Sequence, residues 1–321
     1  MSRCEPSAVR RVGLVGAGVI GGGWAAHFLR QGLEVLAFDP GPGAEVRLRR
    51  RIADAWPTLE RLGLKPGASP ERLRFADSPA EAVAEADVVQ ESMPEDLERK
   101  VELFAELDAA APPHVVLLSS TSGFAMTDLQ VRCRHPQRTV VGHPFNPPYL
   151  IPLVEVVGGA RSDPEAVRWA AAFYRTTGKY VLEMRRELPG FIANRLQDAM
   201  WREALHMVAA GEATVEEIDA AITYGPGLRW AVMGPCLTFH LAGGPGGMAH
   251  MLDHFGPALQ RPWTRLEAPP LTPELRARMV AGCLAEADGR SIARLEEERD
   301  ASVVAILDAL DRRSSGPRRA P

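Results

Sequence analysis

A glycine-rich turn near the start of the sequence constrains the fold of this chain more than any other feature. Gly16-Ala17-Gly18-Val19-Ile20-Gly21 follows an apolar run, Val12–Val15, and precedes an apolar periodic stretch containing Trp24 and Phe28. In a strand–turn–helix unit, the first glycine permits the turn, the second lets a phosphate approach the backbone, and the third lets helix pack on strand. The pattern predicts a dinucleotide-binding unit whose contacts come from Gly16, Gly18, Val19, Ile20 and Gly21.

An acidic residue follows at the position that selects the cofactor. Asp39 comes directly after the next apolar run, Glu34–Phe38, and lies 18 residues after Gly21. A carboxylate there accepts hydrogen bonds from the ribose hydroxyls and repels a 2′-phosphate. The sequence therefore predicts NAD rather than NADP.

Short apolar runs alternate with amphipathic stretches over the first half of the chain, as in a parallel sheet flanked by helices. The predicted strands are Val12–Val15, Glu34–Phe38, Asp87–Gln90, Val115–Ser119, Thr139–Gly142, Leu153–Val157 and Tyr180–Met184. Between Arg47 and Leu73, an amphipathic stretch broken at Pro57 and at Lys65-Pro66-Gly67 predicts a helical hairpin. We expect its arginines to form a solvated face, with an anionic substrate as the alternative partner; they are Arg47, Arg49, Arg50 and Arg51.

Helical periodicity replaces this alternation after Leu188. We therefore predict an α/β protein with a doubly wound, mostly parallel Rossmann sheet domain over residues 1–188. An all-helical domain is predicted over residues 189–321. The last segment, Arg312–Pro321, is polar and rich in Pro and Arg, which predicts disorder.

The composition argues against several classes of protein. The net charge of -4 gives no general attraction to nucleic acid or to an anionic membrane. No run approaches the roughly 18 apolar residues of a membrane span, and the first residues lack the apolar core of a signal peptide. The four cysteines are scattered without a Cys-x-x-Cys pair, so we expect neither a metal site nor disulfides. These features predict a cytoplasmic protein with a small-molecule substrate.

Five motifs resemble, in order and spacing, those of the 3-hydroxyacyl-CoA dehydrogenase family, from Gly16 to about Leu310. They are Gln90–Glu95, Ser120–Gly123, Gly142–Pro147, Leu153–Val156 and Pro189–Arg195. The resemblance implies oxidation of a 3-hydroxyl group with NAD as the acceptor. It also implies a homodimer formed through the C-terminal domain.

The same resemblance implies four catalytic residues. His143 matches the family's proton acceptor and Glu155 its partner carboxylate, while Ser122 and Asn194 match its substrate hydrogen-bonding residues. The chemistry is sensible, because an imidazole has an ordinary pKa of about 6.5 and serves both directions at neutral pH. A carboxylate on one ring nitrogen fixes the tautomer. On the residues alone, a histidine beside a proline is more often structural.

Glu95, Lys100 and Asn146 complete the cofactor site that the resemblance implies. For Glu95 and Lys100, a solvated helix face is the alternative. Basic residues are almost all arginine, and the chain has only three lysines and two asparagines. Against that bias, a retained Lys or Asn indicates a need for its particular chemistry.

The sequence departs from the acyl-CoA members on the substrate side. Those members have His-Phe-Phe-Asn-Pro and Ser-Ser where this chain has Pro144 and Gly123. The C-terminal half resembles the small-substrate branch of the family in the stretches Tyr224–Ala231, Leu241–Gly244, His254–Pro257 and Pro262–Thr264. That resemblance implies a small 3-hydroxy acid with a quaternary ammonium, a group that aromatic faces bind. Candidate contacts are Arg195 and Arg229 for a carboxylate, and Trp201, Tyr224, Trp230 and Trp263 for the cation. The alternatives are a 3-hydroxyacyl-CoA, the sugar acid gulonate, and a non-catalytic, crystallin-like NAD-binding role.

Overall fold

The structure, a computed structural model, describes residues 3–231, 233–243, 245, 247–255, 270, 272–275, 277 and 288–314. Residue contacts divide the chain into a first unit, Met1–Arg195, and a second unit, Leu196–Pro321. The strands are β1 (Arg11–Val15), β2 (Glu34–Phe38), β3 (Leu73–Phe75), β4 (Val88–Glu91), β5 (Val116–Ser119), β6 (Thr139–Pro144), β7 (Leu153–Gly158) and β8 (Tyr180–Glu183). The helices of the first unit are α1 (Val19–Arg30), α2 (Ala44–Arg61), α3 (Pro79–Ala84), α4 (Leu97–Ala110), α5 (Met126–Leu129) and α6 (Pro164–Thr176).

Within the described residues, these strands form one sheet in the order β3-β2-β1-β4-β5-β6-β7-β8. Neighbouring strands are parallel except β6 and β7, which are antiparallel. The predicted fold, a doubly wound and mostly parallel sheet, is confirmed. The β6–β7 register places His143 directly opposite Glu155. Side chains opposite each other on such a pair project to the same face.

The sheet separates two apolar layers. Alternate strand residues such as Leu14 and Val156 pack with Trp24 and Phe28 of α1 on one face. Their sequence neighbours, such as Val15 and Val157, pack on the other face. Because strands buried on both faces read as continuous apolar runs, the sequence predicted them well.

One local prediction is wrong, and one short strand was not predicted. The predicted helical hairpin is a single helix, α2, which runs through Pro57. Pro57 is exposed, so water can satisfy the backbone carbonyl that proline leaves without a donor. After α2 the chain forms a short 3₁₀ turn, Pro70–Arg72, and then β3, which was not predicted. The arginines of α2 are exposed, and Arg49 pairs with Glu45 on the same helix.

The second unit is helical over its described residues, as predicted. Its helices are α7 (Ala193–Ala210, beginning in the first unit), α8 (Val215–Thr223), α9 (Pro226–Trp230), α10 (Pro235–Ala242), α11 (Gly247–Phe255) and α12 (Ile292–Ser314). Because α12 extends to Ser314, the disorder predicted from Arg312 is wrong for its first three residues, and residues 315–321 lie outside the described ranges. No helix in the described part of the chain is long and apolar enough to cross a membrane.

Candidate active site

The glycine-rich turn has the shape that its sequence predicts. Gly16 has a positive φ of 100°, and a Cβ there would lie 2.5 Å from the backbone of Ser92. A Cβ on Gly21 would overlap the carbonyl oxygen of Gly16, so the helix start lies directly against the turn. A Cβ on Gly18 would meet nothing within 4 Å. The turn therefore leaves open space at its middle glycine, beside the N-terminus of α1, where a phosphate can approach the backbone.

Asp39 lies at the end of β2 and faces this turn. Its Oδ2 accepts a hydrogen bond from Ala17 N at 2.8 Å, and its Oδ1 accepts one from Gly41 N at 2.8 Å. Each carboxylate oxygen has a second lone pair. Asp39 is only partly buried, so it can also accept hydrogen bonds from the hydroxyls of a ribose.

A cleft of about 330 Å³ lies beside the turn. Its lining combines the start of α1, the end of β2 and the segments after β4 and β5, with the residues Gly18, Val19, Ile20, Asp39, Ser92, Met93, Pro94, Glu95, Ser120 and Ser122. These segments all follow the carboxyl ends of parallel strands, where open α/β sheets bind their ligands. The cleft fits an extended ligand with phosphates at the turn and a ribose at Asp39.

Glu95 lines this cleft and holds the segment after β5. One carboxylate oxygen, Oε1, accepts hydrogen bonds from Thr121 Oγ1 and Ser122 N, both at 2.6 Å, and from Gly123 N at 3.1 Å. The side chain is 40% exposed. Glu95 therefore fixes the backbone that carries Ser122 and still presents oxygen to the cleft.

Lys100 lies beneath this cleft wall and is buried. Its ammonium donates to Glu91 Oε1 at 2.7 Å and to Met93 O at 3.0 Å, and it lies 3.3 Å from Glu95 Oε2. An ammonium has three N–H donors, so these contacts occupy all of them. The geometry places Lys100 behind Glu95 rather than on the cleft surface.

His143 and Glu155 form a buried pair on β6 and β7. The imidazole Nδ1 lies 3.0 Å from Glu155 Oε2, and His143 is 4% exposed and Glu155 fully buried. The rings of Phe145 and Phe191 pack against the imidazole, with centroids 5.2 Å away in each case. The imidazole is therefore held by one carboxylate and two apolar rings.

The environment of Glu155 keeps it ionised. Burial alone raises the pKa of this carboxyl. Hydrogen bonds from His143 and from the backbone N–H groups of Ala193 and Ile192 outweigh burial and hold the pKa below its usual value. Because a carboxylate only accepts hydrogen bonds, His143 donates through Nδ1. Its Nε2 then carries the lone pair that can accept a proton.

The two backbone donors to Glu155 depend on an unusual conformation at Phe191. This residue is buried and has a positive φ of 54°. The turn directs the N–H groups of Ile192 and Ala193 to Glu155 Oε1, each at 2.9 Å. The left-handed conformation costs a non-glycine residue about 1–2 kcal/mol. The surrounding contacts offset this cost where α7 begins.

Asn194 connects His143 to the cleft. Its Nδ2 donates to the backbone oxygen of Ser122 at 3.0 Å and lies 3.5 Å from His143 Nε2. Ser122 lines the cleft, and its hydroxyl makes no hydrogen bond with the described residues. The four predicted catalytic residues are therefore brought together: Ser122 lines the cleft, Asn194 contacts both Ser122 and His143, and Glu155 holds the imidazole.

The other predicted site residues are more dispersed. Asn146 and Arg195 are exposed in the first unit. In the second unit, Arg229 is exposed at the end of α9 and Trp230 is half-buried. The further aromatic candidates, Trp201 and Tyr224, are 52% and 81% exposed, and Trp263 lies outside the described residues. No group of three or more potential metal ligands occurs among the residues that the structure describes.

Several contacts were not predicted from the sequence. The backbone N–H groups of Ile192 and Ala193 and the ring of Phe191 lie inside the Pro189–Arg195 motif, yet residue identity alone does not indicate that they contact Glu155 or His143. Glu91, the buried partner of Lys100, also lies inside a motif. A carboxyl residue in a strand buried on both faces needs a partner, so Glu91 itself was a signal for a buried cation.

The fold and cleft together define a dehydrogenase class with a nucleotide-binding sheet followed by a helical unit. Residues 11–187 match the NAD binding domain of 3-hydroxyacyl-CoA dehydrogenase, and residues 190–281 match its C-terminal domain. The chain belongs to the 3-hydroxyacyl-CoA dehydrogenase family. The resemblance of the motifs to this family and the prediction of NAD as cofactor are thereby confirmed.

The chain is similar over nearly its whole length to individual members of known function. The chain is 66% identical to the L-carnitine dehydrogenase of Streptomyces griseus over 96% of this chain and 92% of that protein. It is 53% identical to the L-carnitine dehydrogenase of Pseudomonas aeruginosa over 94% of each. Among solved structures, it is similar to 5-formyl-3-hydroxy-2-methylpyridine 4-carboxylic acid 5-dehydrogenase, an NAD⁺-dependent dismutase. That likeness has a TM-score of 0.79 and 29% identity over 94% of this chain and 99% of that one.

Proposed function

We propose that the protein oxidises the 3-hydroxyl of L-carnitine to give 3-dehydrocarnitine, with NAD as the hydride acceptor. The observation that carries the chemistry is the His143–Glu155 pair at 3.0 Å, joined to the cleft through Asn194. The similarity to two L-carnitine dehydrogenases over nearly the whole chain supports the choice of substrate. Crystallin-like structural use without turnover does not require the proton-accepting pair.

The cofactor residues act by binding and orientation. The glycine turn and the N-terminus of α1 would hold the phosphates. Asp39 would accept hydrogen bonds from the ribose hydroxyls and repel a 2′-phosphate. On the nicotinamide side, Glu95 presents a carboxylate oxygen that Lys100 holds in place from behind. Asn146 is the third residue that we propose to bind the cofactor on the nicotinamide side. Bound NAD supplies the acceptor for the hydride from the substrate carbon.

The proton leaves the substrate through His143. Its Nε2 takes the hydroxyl proton while hydride leaves carbon, and Glu155 stabilises the imidazolium that forms. The Ser122 hydroxyl and the Asn194 amide orient the reacting oxygen. The two phenyl rings beside the imidazole exclude water, which strengthens the attraction between imidazolium and carboxylate.

The charged ends of the substrate need two further contacts. Arg195 is exposed next to Asn194, and Arg229 offers a second guanidinium; either can bind a carboxylate by two parallel hydrogen bonds. A quaternary ammonium has no N–H and is attracted to aromatic faces, at about 0.5–2 kcal/mol each. Trp230 is the first candidate for this contact, with Trp201 and Tyr224 as the others.

Initial rates test this function. We expect kcat/KM for L-carnitine to exceed those for L-gulonate and a short 3-hydroxyacyl-CoA by at least about 100-fold, with NAD preferred over NADP. A preference for the thioester would overturn the small-substrate assignment. His143→Ala should lower turnover by at least about 100-fold, the low end for loss of a general base. The matched control is His135→Ala, because His135 is exposed and lies before β6 rather than in the pair.

We further propose that the enzyme works in the cytoplasm as a homodimer formed through the second unit. The unpaired thiols Cys4, Cys133 and Cys236 support a reducing compartment. Large exposed apolar side chains in the second unit support an interface there; they are Leu228, Phe239 and Leu241. Cell fractionation and the mass of the particle in solution test the two statements separately.

A further inference from the structure

Lys179 is a buried lysine outside the residues used so far. It follows Gly178, which has a positive φ of 82°, and directly precedes β8. The side chain is 6% exposed. It is one of only three lysines in a chain whose basic residues are almost all arginine. Lysine is almost never fully buried without partners, so its contacts indicate what it does.

The ammonium is held by carbonyl oxygens and an aromatic face. It donates to Pro148 O and, at 3.1 Å, to Ile151 O. It also lies over the indole ring of Trp24, 5.0 Å from the centroid. No carboxylate among the described residues forms an ion pair with it. Among the described residues, the positive charge is therefore compensated by carbonyl dipoles and by a π system.

The carbonyl contacts fix the loop between the two strands of the catalytic pair. Residues 145–152 join β6, which carries His143, to β7, which carries Glu155. Pro148 also packs so closely on α1 that a Cβ on Gly23 would overlap its ring. The ammonium thus holds the far end of the loop that begins with Phe145, the ring against the imidazole.

The aromatic contact leads to the floor of the cleft. Trp24 is fully buried, and its Nε1 donates to Ser120 Oγ at 3.1 Å. The Ser120 hydroxyl also accepts a hydrogen bond from Gln90 Nε2 at 2.8 Å, and it lies 2.9 Å from Ser92 Oγ. Both serines line the cleft. A cation over the indole face draws electron density from the ring, so it makes the indole N–H a stronger donor to Ser120.

We propose that Lys179 is a positioning residue of the dehydrogenase site, which sets the loop beside His143 through two carbonyls and the Ser120 hydroxyl through Trp24. This rests on the proposed function, because the site it positions is the one assigned there. Lys179 touches neither the cleft nor the imidazole. It acts through groups that do.

The charge on Lys179 changes near neutral pH. Burial, with a smaller contribution from Arg30, lowers its pKa to about 7. Its titratable neighbours are His27 and Arg30 on α1, and Tyr174 on α6, whose ring stacks on Trp24. Burial and the charges of Lys179 and Arg30 hold the pKa of His27 well below its usual value, and burial holds that of Tyr174 well above, so both are neutral. From the loop, the carbonyl oxygens of Pro148 and Ile151 contact the ammonium, and the loop's own titratable side chain is the half-buried Tyr149. The ammonium is thus present below neutrality and lost above it.

Kinetics of Lys179→Met at several pH values test the proposal. At pH 6 we expect kcat with L-carnitine to fall at least about 10-fold and KM to change less, because misplacement of catalytic groups acts on the chemical step. The ratio of wild-type to variant kcat should narrow as pH rises to 8, since the wild type then loses its ammonium. Lys65→Met, at an exposed lysine, should match the wild type. Wild-type kinetics in the variant, or a loss independent of pH, would overturn the proposal.

A double-mutant cycle with Trp24→Phe tests the route through the indole. Phenylalanine keeps a ring for the ammonium and removes the N–H that reaches Ser120. We expect Lys179→Met to lower kcat by a smaller factor in the Trp24→Phe background than in the wild type. Independent, multiplicative losses would contradict this route.

A spectroscopic titration needs neither turnover nor a folded Lys179 variant. The fluorescence difference between wild type and Trp24→Phe isolates the emission of Trp24. It should titrate between pH 6 and 8 as the ammonium loses its proton, and a flat difference would overturn the proposal. If the wild type fails to oxidise L-carnitine while this titration is present, the proposed substrate fails and the placement of Lys179 stands.

Discussion

Glu155 is the residue at which two parts of the candidate site meet. One carboxylate oxygen faces His143, and the other accepts hydrogen bonds from the N–H groups of Ile192 and Ala193. Those N–H groups begin the helix that carries Asn194. A single buried carboxylate therefore fixes both the imidazole and the amide beside it.

Glu155→Gln should lower kcat by roughly 10²- to 10⁴-fold with little change in KM. The new amide oxygen can still accept the two backbone N–H groups. Its NH₂ then faces His143 Nδ1 and favours the tautomer in which Nε2 already carries a proton. Steady-state kinetics check this, with Glu60→Gln on the exposed face of α2 as control. Equal activity in the two variants would exclude Glu155 from the mechanism.

The same substitution should reveal a pH-dependent contribution to stability. The pKa of Glu155 is lower in the folded protein than its ordinary value of about 4.3. Its contribution is therefore present above that ordinary value and lost as pH falls through the folded-state value. Urea unfolding of wild type and Glu155→Gln between pH 7 and 3 should show their stability difference shrinking at acid pH. A constant difference would contradict the assignment of an ionised carboxylate.

The sequence predicted which side chains meet around the imidazole, because His143, Glu155, Ser122 and Asn194 each lie in a motif. It did not predict where Lys100 points. A lysine near several carboxyls fits either a ligand contact or a buried ion pair, and only the folded chain distinguishes the two. The scarcity of lysine was an informative signal, since Lys100 and Lys179 are both buried charges.

At the scale of elements, the predicted strands agree with the observed ones to within two residues at each end. They were predictable because they are buried on both faces and bounded by turns. Strand β3 has three residues at the edge of the sheet, too few to give a periodic signal. The sequence predicts a break at Pro57, although α2 runs through it. Sequence does not show whether the backbone carbonyl that loses its N–H donor at a proline can face water instead.

The glycine turn permits a matched pair of substitutions. Gly18→Ala should leave the melting temperature within about 3 K, because its Cβ would meet no protein atom. It should weaken NAD binding at least about 10-fold, since the methyl group occupies the phosphate approach. Gly21→Ala should instead lower the melting temperature strongly, because its Cβ overlaps Gly16 O. Calorimetry of unfolding and of NAD binding separates the effects, and unchanged NAD affinity in Gly18→Ala would contradict the turn as the phosphate site.

At the scale of the whole molecule, the family comparison and the residue contacts give boundaries between the two units that differ by only a few residues. The family domains adjoin between residues 187 and 190, and the contacts divide the chain at Arg195. The boundary at Leu188 remains a prediction that Phe191, buried with the first unit's core, does not favour. A change in periodicity marks where strands stop. It does not mark which core the next turn packs against.

The proposed dimer gives the prediction at this scale. Combining Leu228→Asp with Leu241→Asp, 66% and 58% exposed, should convert a dimer to a monomer in light scattering, because an interface core does not tolerate unpaired charge. Val46→Asp is the control, since Val46 is 72% exposed on α2 of the first unit. A wild type that is monomeric at micromolar concentration would refute the dimer itself.

The order of the strands has a consequence for synthesis on the ribosome. Strand β1 pairs with β2 and β4, and β5 adds next, so the residues that line the cleft, up to Ser122, emerge before His143. Domains tend to fold from the N-terminus as they emerge. A nascent chain therefore gains the parts of its nucleotide crevice first, and the acid–base pair is added later on β6 and β7, between β5 and β8.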